Sequence, residues 1–262
     1  MIRNLSRLFR YRGLIQSLVA RELKARYRGS VLGFLWSFVN PLLLLLIYSF
    51  VFTTVMPNTQ AGVQPYFLFM FCGILPWTWF SASLSEASGS LISGGNLIKK
   101  VLFPAEVLPL VSVLANMVHF FLGLPILLIF LVLYRPPTLW HLAVFPVVVL
   151  VQLVFTSALA LLLAALAVHF RDIRDILANL LTLWFFATPI VYPLSAAPPR
   201  IRRLLELNPF TQLAVAYQQV LFVPGPFGGW SRLLALGGVS ILLFVFGYFV
   251  FDRLRDTLAE EV

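Results

Sequence analysis

The side chains able to do acid–base or covalent chemistry are few and scattered. Three histidines stand at 119, 141 and 169, and no two share a helical turn or the spacing of metal ligands. Glu86 and Glu106 flank a polar stretch rather than facing each other inside one apolar run. Cys72 is the single cysteine, which excludes an intramolecular disulfide and a cysteine metal cage. A phosphate-binding loop needs glycine directly before its lysine, whereas Lys24, Lys99 and Lys100 follow Leu23, Ile98 and Lys99. His119, alone in an apolar run, could relay protons but reads more simply as a packed, hydrogen-bonded residue. The one compact charged knot, Arg171 to Asp175, reads as a tight loop with ion pairs along a helix. The expectation is therefore no metal, no cofactor held by this chain and no catalytic site. Work against a gradient has to be driven by a partner, since the apolar runs hold almost no acidic residues to carry ions.

The elements around these residues are written in the hydropathy. Of 262 residues 60% are hydrophobic and 11% charged, with mean hydropathy +0.94. A soluble domain could not cover so much apolar surface, so lipid is the solvent for most of the chain. The net charge of +9 does not argue for nucleic acid, because the cations sit at the ends of apolar runs rather than on one face. Leu14, Leu18, Arg21, Lys24 and Arg28 recur at three- and four-residue spacings, predicting an amphipathic helix along the headgroups. Those cations stop at an uncharged run, Phe34 to Val55, that is long enough to cross about 30 Å of hydrocarbon. The run starts too late and is too long for a cleavable signal.

Further spans are expected at 66–85, 107–134, 142–168, 176–193 and 233–251, giving six. Between the second and third, Gly94-Gly95 break the chain, Asn96 can cap, and Leu97 to Phe103 make about two turns before Pro104. Leu204 to Phe222 is apolar but broken at Asn208-Pro209, which fits two short re-entrant helices better than one span. With both termini inside, fourteen of the nineteen cations fall on the cytoplasmic side. The cluster Arg200, Arg202 and Arg203 opposes that orientation locally. The fold class predicted is all-α, a polytopic integral membrane protein. It forms a single domain over 1–262, with an interfacial segment at 1–32, spans within 33–251 and a charged cytoplasmic tail at 252–262.

Four stretches, RELKARYRGSVLGFLWSFVNPLL, GILPWTWFSASLSEASGSLISGGNLIKKVLFPAEVLPL, HFRDIRDI and LNPFTQLAVAYQQVLF, resemble the permease subunit of type-2 ABC polysaccharide exporters, which move O-antigen, teichoic acid or capsular polymers. The resemblance runs through nearly the whole chain in order and spacing, and lies nearer the O-antigen and teichoic acid branch than the capsule permeases. It implies a homodimer in the bacterial inner membrane, joined to two copies of a separate ATPase that binds the ATP and Mg. It implies that Asn96, Leu97, Ile98, Lys99, Lys100, Val101, Leu102 and Phe103 form the helix seated in the ATPase. Asn208, Pro209, Phe210 and Tyr217 belong, on the same ground, to the re-entrant exit helices, and the substrate is a glycan on a polyprenyl diphosphate.

Given that substrate, Arg21, Lys24, Arg26 and Arg28 stand at headgroup depth as candidate diphosphate contacts, although plain anchoring to lipid would use the same cations. Trp36, Tyr48, Trp77, Trp79, Trp184, Phe185 and Phe186 are candidate rings for a sliding glycan, although aromatic belts are routine in membrane proteins. Three other readings compete. A type-2 permease for a lipid or drug would be favoured by a large outer domain or a fused ATPase, and a membrane enzyme on polyprenyl-linked sugars by a charged cluster at one face. A non-catalytic scaffold would bind no motor.

Overall fold

A computed structural model of the chain describes residues 11–55, 63–98, 103–134, 143–170 and 172–261, with side chains up to 254. Among the described residues every regular element is helical. α1 (Arg12–Arg26) is followed by a 3-10 turn (Gly33–Leu35) that runs into α2 (Trp36–Phe50) and a π turn (Val51–Val55). Then come α3 (Tyr66–Ser93), α4 (Gly95–Ile98), α5 (Val107–Tyr134), α6 (Phe145–His169) and α7 (Ile173–Phe186). The chain closes with α8 (Pro199–Leu207), α9 (Pro209–Leu221) and α10 (Trp230–Glu261). Among the described residues five stretches are long and apolar enough to cross a membrane: Gly33–Val55, Tyr66–Ser93, Val107–Tyr134, Phe145–His169 and Trp230–Leu254.

The expected span at 176–193 is the exception. α7 has 14 residues, about 21 Å of helix, and stops before Thr188-Pro189. Proline has no N–H to give and disfavours helical backbone in the residue before it. Two other expected ends also move. α3 continues to Ser93 rather than stopping near Ser85, and α10 continues through the expected tail to Glu261.

α3 is the central post, buried along nearly all its length between α5 and α6. Phe80 stacks on Phe155 of α6, ring centroids 5.8 Å apart, and Trp79 packs on Phe120 of α5 at 5.1 Å. α2 lies against this core on one flank only, and Leu42, Leu43, Leu46, Ile47 and Phe50 are exposed. One end of the bundle gathers α1, α4, the C-terminal ends of α3, α6 and α10 and the N-terminal end of α5. There Leu18 of α1 packs on Val107 and Val111, and Leu91, Leu108, Leu161 and Phe251 form a second cluster with Leu97 and Ile98 of α4. The far end holds the C-terminal end of α7 together with α8 and α9.

α6 and α10 make the most extensive helix pair, and glycine makes it close. A Cβ on Gly247 would stand 2.9 Å from the Ala158 carbonyl oxygen and 3.1 Å from Leu162 Cγ. Without a hydrophobic force between helices in lipid, such close backbone approach supplies the attraction. Gly247→Val is expected to part the pair at a cost of about 1–3 kcal/mol, read as a lower thermal unfolding midpoint in detergent. Gly238→Val on the same helix, where a Cβ meets nothing within 4 Å, is expected to leave the midpoint in place.

Candidate functional site

At the α1 end, three polar residues far apart in sequence meet in one knot. Arg26, the last residue of α1, donates from Nη2 to both Glu86 oxygens, at 2.7 and 2.8 Å. Its Nη1 donates to Asn116 Oδ1 at 3.2 Å. Asn116 in turn donates from Nδ2 to Glu86 Oε2 at 2.7 Å and to the Ser112 carbonyl at 2.9 Å. α1, α3 and α5 are thus tied by a carboxylate, a guanidinium and an amide, each bonded to the other two. Beside the knot, Tyr27 shares hydrogen bonds with Ser37 Oγ (2.7 Å) and His119 Nδ1 (3.3 Å). His119 is a packed, hydrogen-bonded residue at this nitrogen, as the sequence predicts.

The knot stands between two cavities. One, of about 650 Å³, is lined by Arg21, Glu22, Glu86, Ser90, Leu97 and Arg174 among others. The second, of about 540 Å³, has Arg26, Tyr27, Asn40, Asn116 and His119 at its polar part and Leu44, Phe71 and Phe120 in its apolar part. The link between α1 and α2 brings Ser30 to the second cavity's wall and turns at Gly29 and Gly33, whose φ values of +79° and +51° lie in the left-handed region. Of the four candidate cations, Arg26 is committed to Glu86 and Arg21 lines the first cavity. Lys24 and Arg28 are exposed.

α4 hangs directly from α3. Gly94 lets the chain turn, and its carbonyl accepts from Leu97 (2.8 Å) and Ile98 (3.2 Å). The helical turn begins at Gly95, so Asn96 lies inside it rather than capping it. Leu97, Ile98 and Phe103 pack on the bundle, while Lys99, Lys100, Val101 and Leu102 lie outside the described residues. Arg171 and His141 lie outside them as well.

At the far end the chain bends where α7 stops, and side chains from other elements take up the freed carbonyls. Asn208 is the centre. Its Oδ1 accepts from Trp184 Nε1 (2.7 Å) and from the Phe210 N–H (3.0 Å), so it caps α9. Its Nδ2 donates to the Ala187 carbonyl and Thr188 Oγ1, both at 3.0 Å. Gln218 Nε2 donates to the Pro189 carbonyl at 2.9 Å, and Tyr66 donates to the Val191 carbonyl. Tyr192, its hydroxyl on the Phe186 carbonyl, has its pKa raised by burial.

Phe210 sits on Trp77 and Phe80, 4.9 and 4.6 Å away, while Phe222 just past α9 meets Phe69 at 5.8 Å. α9 therefore runs antiparallel to α3 from the level of Phe80 outward, and the Asn208-Pro209 hinge lies well inside the bundle. Tyr217 is fully buried between Phe120 and Phe145.

The seven candidate aromatics fall into two groups. Trp77 and Trp79 are buried in the core of this chain, with Trp79 Nε1 donating to the Val113 carbonyl. Trp184 packs on Phe80 at 5.2 Å and spends its N–H on Asn208. Trp36 and Phe186 are exposed, Tyr48 and Phe185 half-buried. Sequence reasoning names Glu86 only as a residue flanking a polar stretch, and does not single out Asn116 or Gln218. Their signal was only that each is a polar residue in an apolar helix.

The ABC-2 type transporter family matches residues 13–222 of the chain. The O-antigen export system permease protein RfbA of Myxococcus xanthus is 46% identical over 264 residues, covering all of both chains. A protein of the same name from Klebsiella pneumoniae is 31% identical over 259 residues, 98% of this chain and 96% of its own. The polysialic acid transport protein KpsM of Escherichia coli is 20% identical over 215 residues, 80% and 81% of the two chains. Several described helices are long and apolar enough to cross a membrane, and with this similarity they make the chain a multi-pass membrane permease that works with an ATPase. The chain belongs to the ABC-2 type transporter family.

Proposed function

We propose that this chain is the permease of an ATP-driven exporter that carries a polyprenyl-diphosphate-linked polysaccharide, O-antigen-like, across the bacterial cytoplasmic membrane. The observation that carries the reading is full-length similarity, 46% and 31% identity, to proteins named as O-antigen export permeases. The lower identity to a polysialic acid transporter, 20%, favours the O-antigen class over capsule. The distribution of fourteen cations against five supports termini in the cytoplasm, which makes the α1 end the cytoplasmic one. Residues 1–262 then act as a single transmembrane domain.

Two copies pair through flanks such as the exposed side of α2 and enclose the path, which partly exposed Trp36, Tyr48, Phe185 and Phe186 line. Trp77, Trp79 and Trp184, spent on packing within the chain, support that wall from behind. Two ATPase subunits hold the ATP and Mg, and each seats α4 with the residues 99–103 that follow it in sequence. Force on α4 passes into α3, the post on which the other helices pack. Arg21, Lys24 and Arg28 meet the carrier diphosphate and neighbouring lipid at the surface, and no nucleic acid is involved. An ABC-2 permease for a lipid or drug is the second reading, favoured by the apolar depth of the 540 Å³ cavity. A membrane enzyme on polyprenyl-linked sugars is disfavoured, because Arg26, Glu86 and Asn116 are hydrogen-bonded to one another rather than arranged around a reacting group.

The test is co-reconstitution of the chain with its ATPase in vesicles, comparing wild type with the double change Lys99→Glu and Lys100→Glu. ATP-dependent movement of polymer is expected for wild type. The reversed charges are expected to leave hydrolysis running while export falls about tenfold or more, since opposite charge across a docking site is replaced by like charge. Hydrolysis without polymer movement in wild type, or chemical change of the glycan lipid, refutes the reading.

A further inference from the structure

We propose that Glu86 is a resident counter-ion standing in for a lipid-borne phosphate. The anionic head of an amphiphile entering the 540 Å³ cavity draws Arg26 off Glu86 and so unties α1 from α3. The inference rests on the function just proposed for the identity of the amphiphile, but the exchange itself is read from the knot and its two cavities.

The cavity has the build of a site for a head and a chain. Polar groups of Arg26, Tyr27, Asn40 and His119 line one part and Leu44, Phe71, Ile74 and Phe120 another. Arg26 is the one guanidinium or ammonium among its described lining residues, and none of these is a carboxylate. His119 Nε2, on the same wall, is buried and has no hydrogen-bond partner among the described residues. A phosphate placed there would find a cation already at hand.

That cation is held, but from the other side. Glu86 lines the 650 Å³ cavity instead, together with Arg21 and Arg174. The Arg26 and Glu86 side chains retain 27% and 36% exposure, so the pair is open to a competing ion rather than sealed in the core. A diphosphate ester brings more negative charge than a carboxylate and more oxygens for the guanidinium fork. Departure of Arg26 does not leave Glu86 bare, because Asn116 Nδ2 stays on Oε2 at 2.7 Å and the cavity behind it has its own cations.

The exchange has a mechanical result. Arg26 ends α1, and Glu86 stands seven residues before Ser93, where α3 hands over to α4 through Gly94. While the pair is made, the interfacial helix and the helix bearing the ATPase-facing turn move together. Arrival of the head separates them, so a loaded permease answers the motor differently from an empty one.

The experiment measures equilibrium binding of undecaprenyl diphosphate to the permease–ATPase complex in nanodiscs of zwitterionic lipid. Glu86→Gln removes the competing charge and is expected to tighten binding about three- to tenfold. Arg26→Gln is expected to weaken it about tenfold or more, with the double change behaving like Arg26→Gln alone. Asn116→Asp adds a second carboxylate against Arg26 and is expected to weaken binding several-fold, which keeps a test in hand should Glu86→Gln not fold. A loosened structure does not bind more tightly, so equal or weaker binding by Glu86→Gln overturns the exchange. A parallel series with phosphatidylglycerol as the anionic lipid identifies the source. Tightening there alone assigns the phosphate to bulk lipid, and absence of undecaprenyl diphosphate binding throughout refutes the substrate reading while the phosphatidylglycerol series still decides the exchange.

Discussion

Replacing Asn208 with alanine is expected to destabilise the protein by about 2–4 kcal/mol and to abolish ordered docking of α9. The estimate adds a lost helix cap, worth about 1 kcal/mol, to the cost of leaving the Trp184 N–H and the Ala187 carbonyl without partners inside the bundle, about 1–3 kcal/mol. No neighbour replaces it, since the amide both accepts and donates. The measurement is thermal unfolding in detergent, with proteolysis around 208 as a local readout. Asn208→Asp separates the contributions. It keeps the acceptor for Trp184 and Phe210 but replaces the donor to the Ala187 carbonyl with a second acceptor, so it is expected to fall between wild type and alanine. An alanine variant that unfolds with wild type would mean that water replaces the amide, and that the far-end turn is held by Gln218 and Tyr66 alone.

The second large effect is expected at Gly94→Val. A Cβ there would lie 2.4 Å from Leu108 Cδ1 and 2.9 Å from the Ser90 carbonyl oxygen. Leu108 can rotate away, but the Ser90 backbone cannot, so a branched residue has to lift α4 off the end of α3 or push α5 aside. Overpacking of this kind costs about 1–3 kcal/mol, enough to displace a segment that has only one described turn. In the co-reconstituted vesicles ATP hydrolysis is expected to persist while polymer movement drops roughly tenfold, matching about 1.4 kcal/mol. Gly228→Val, where a Cβ meets nothing within 4 Å, serves as the control. Retained export in Gly94→Val would remove the α3–α4 joint from the route of force.

What could be read in the sequence follows from which forces act locally. The apolar runs set α2, α3, α5, α6 and α10 because hydrocarbon demands about twenty uncharged residues and the chain supplies them. Asn208-Pro209 was legible as a break, since proline fixes the start of a helix and asparagine caps it. α7 was misjudged because hydropathy continues through Thr188-Pro189-Ile190, and only the three-dimensional supply of donors from Asn208, Gln218 and Tyr66 makes a non-helical turn tolerable there.

Arg26 was noticed as a cation but not as a paired one. Its partners lie 60 and 90 residues away, and no periodicity links them. Composition marks Trp77 and Trp79 as rings in a span, while their burial against Phe210 and Phe120 is a property of packing.

The short α7 has a bearing on the lipid itself. Ile176, Leu180, Leu183 and Phe186 form an exposed apolar stripe on a helix of about 21 Å, against about 30 Å of hydrocarbon. Acyl chains meeting that stripe have to compress, at a fraction of a kilocalorie per ångström of mismatch, unless another protein surface covers it. Bilayer elasticity then contributes to association: each ångström of strain relieved when the stripe is covered adds to the affinity of whatever covers it.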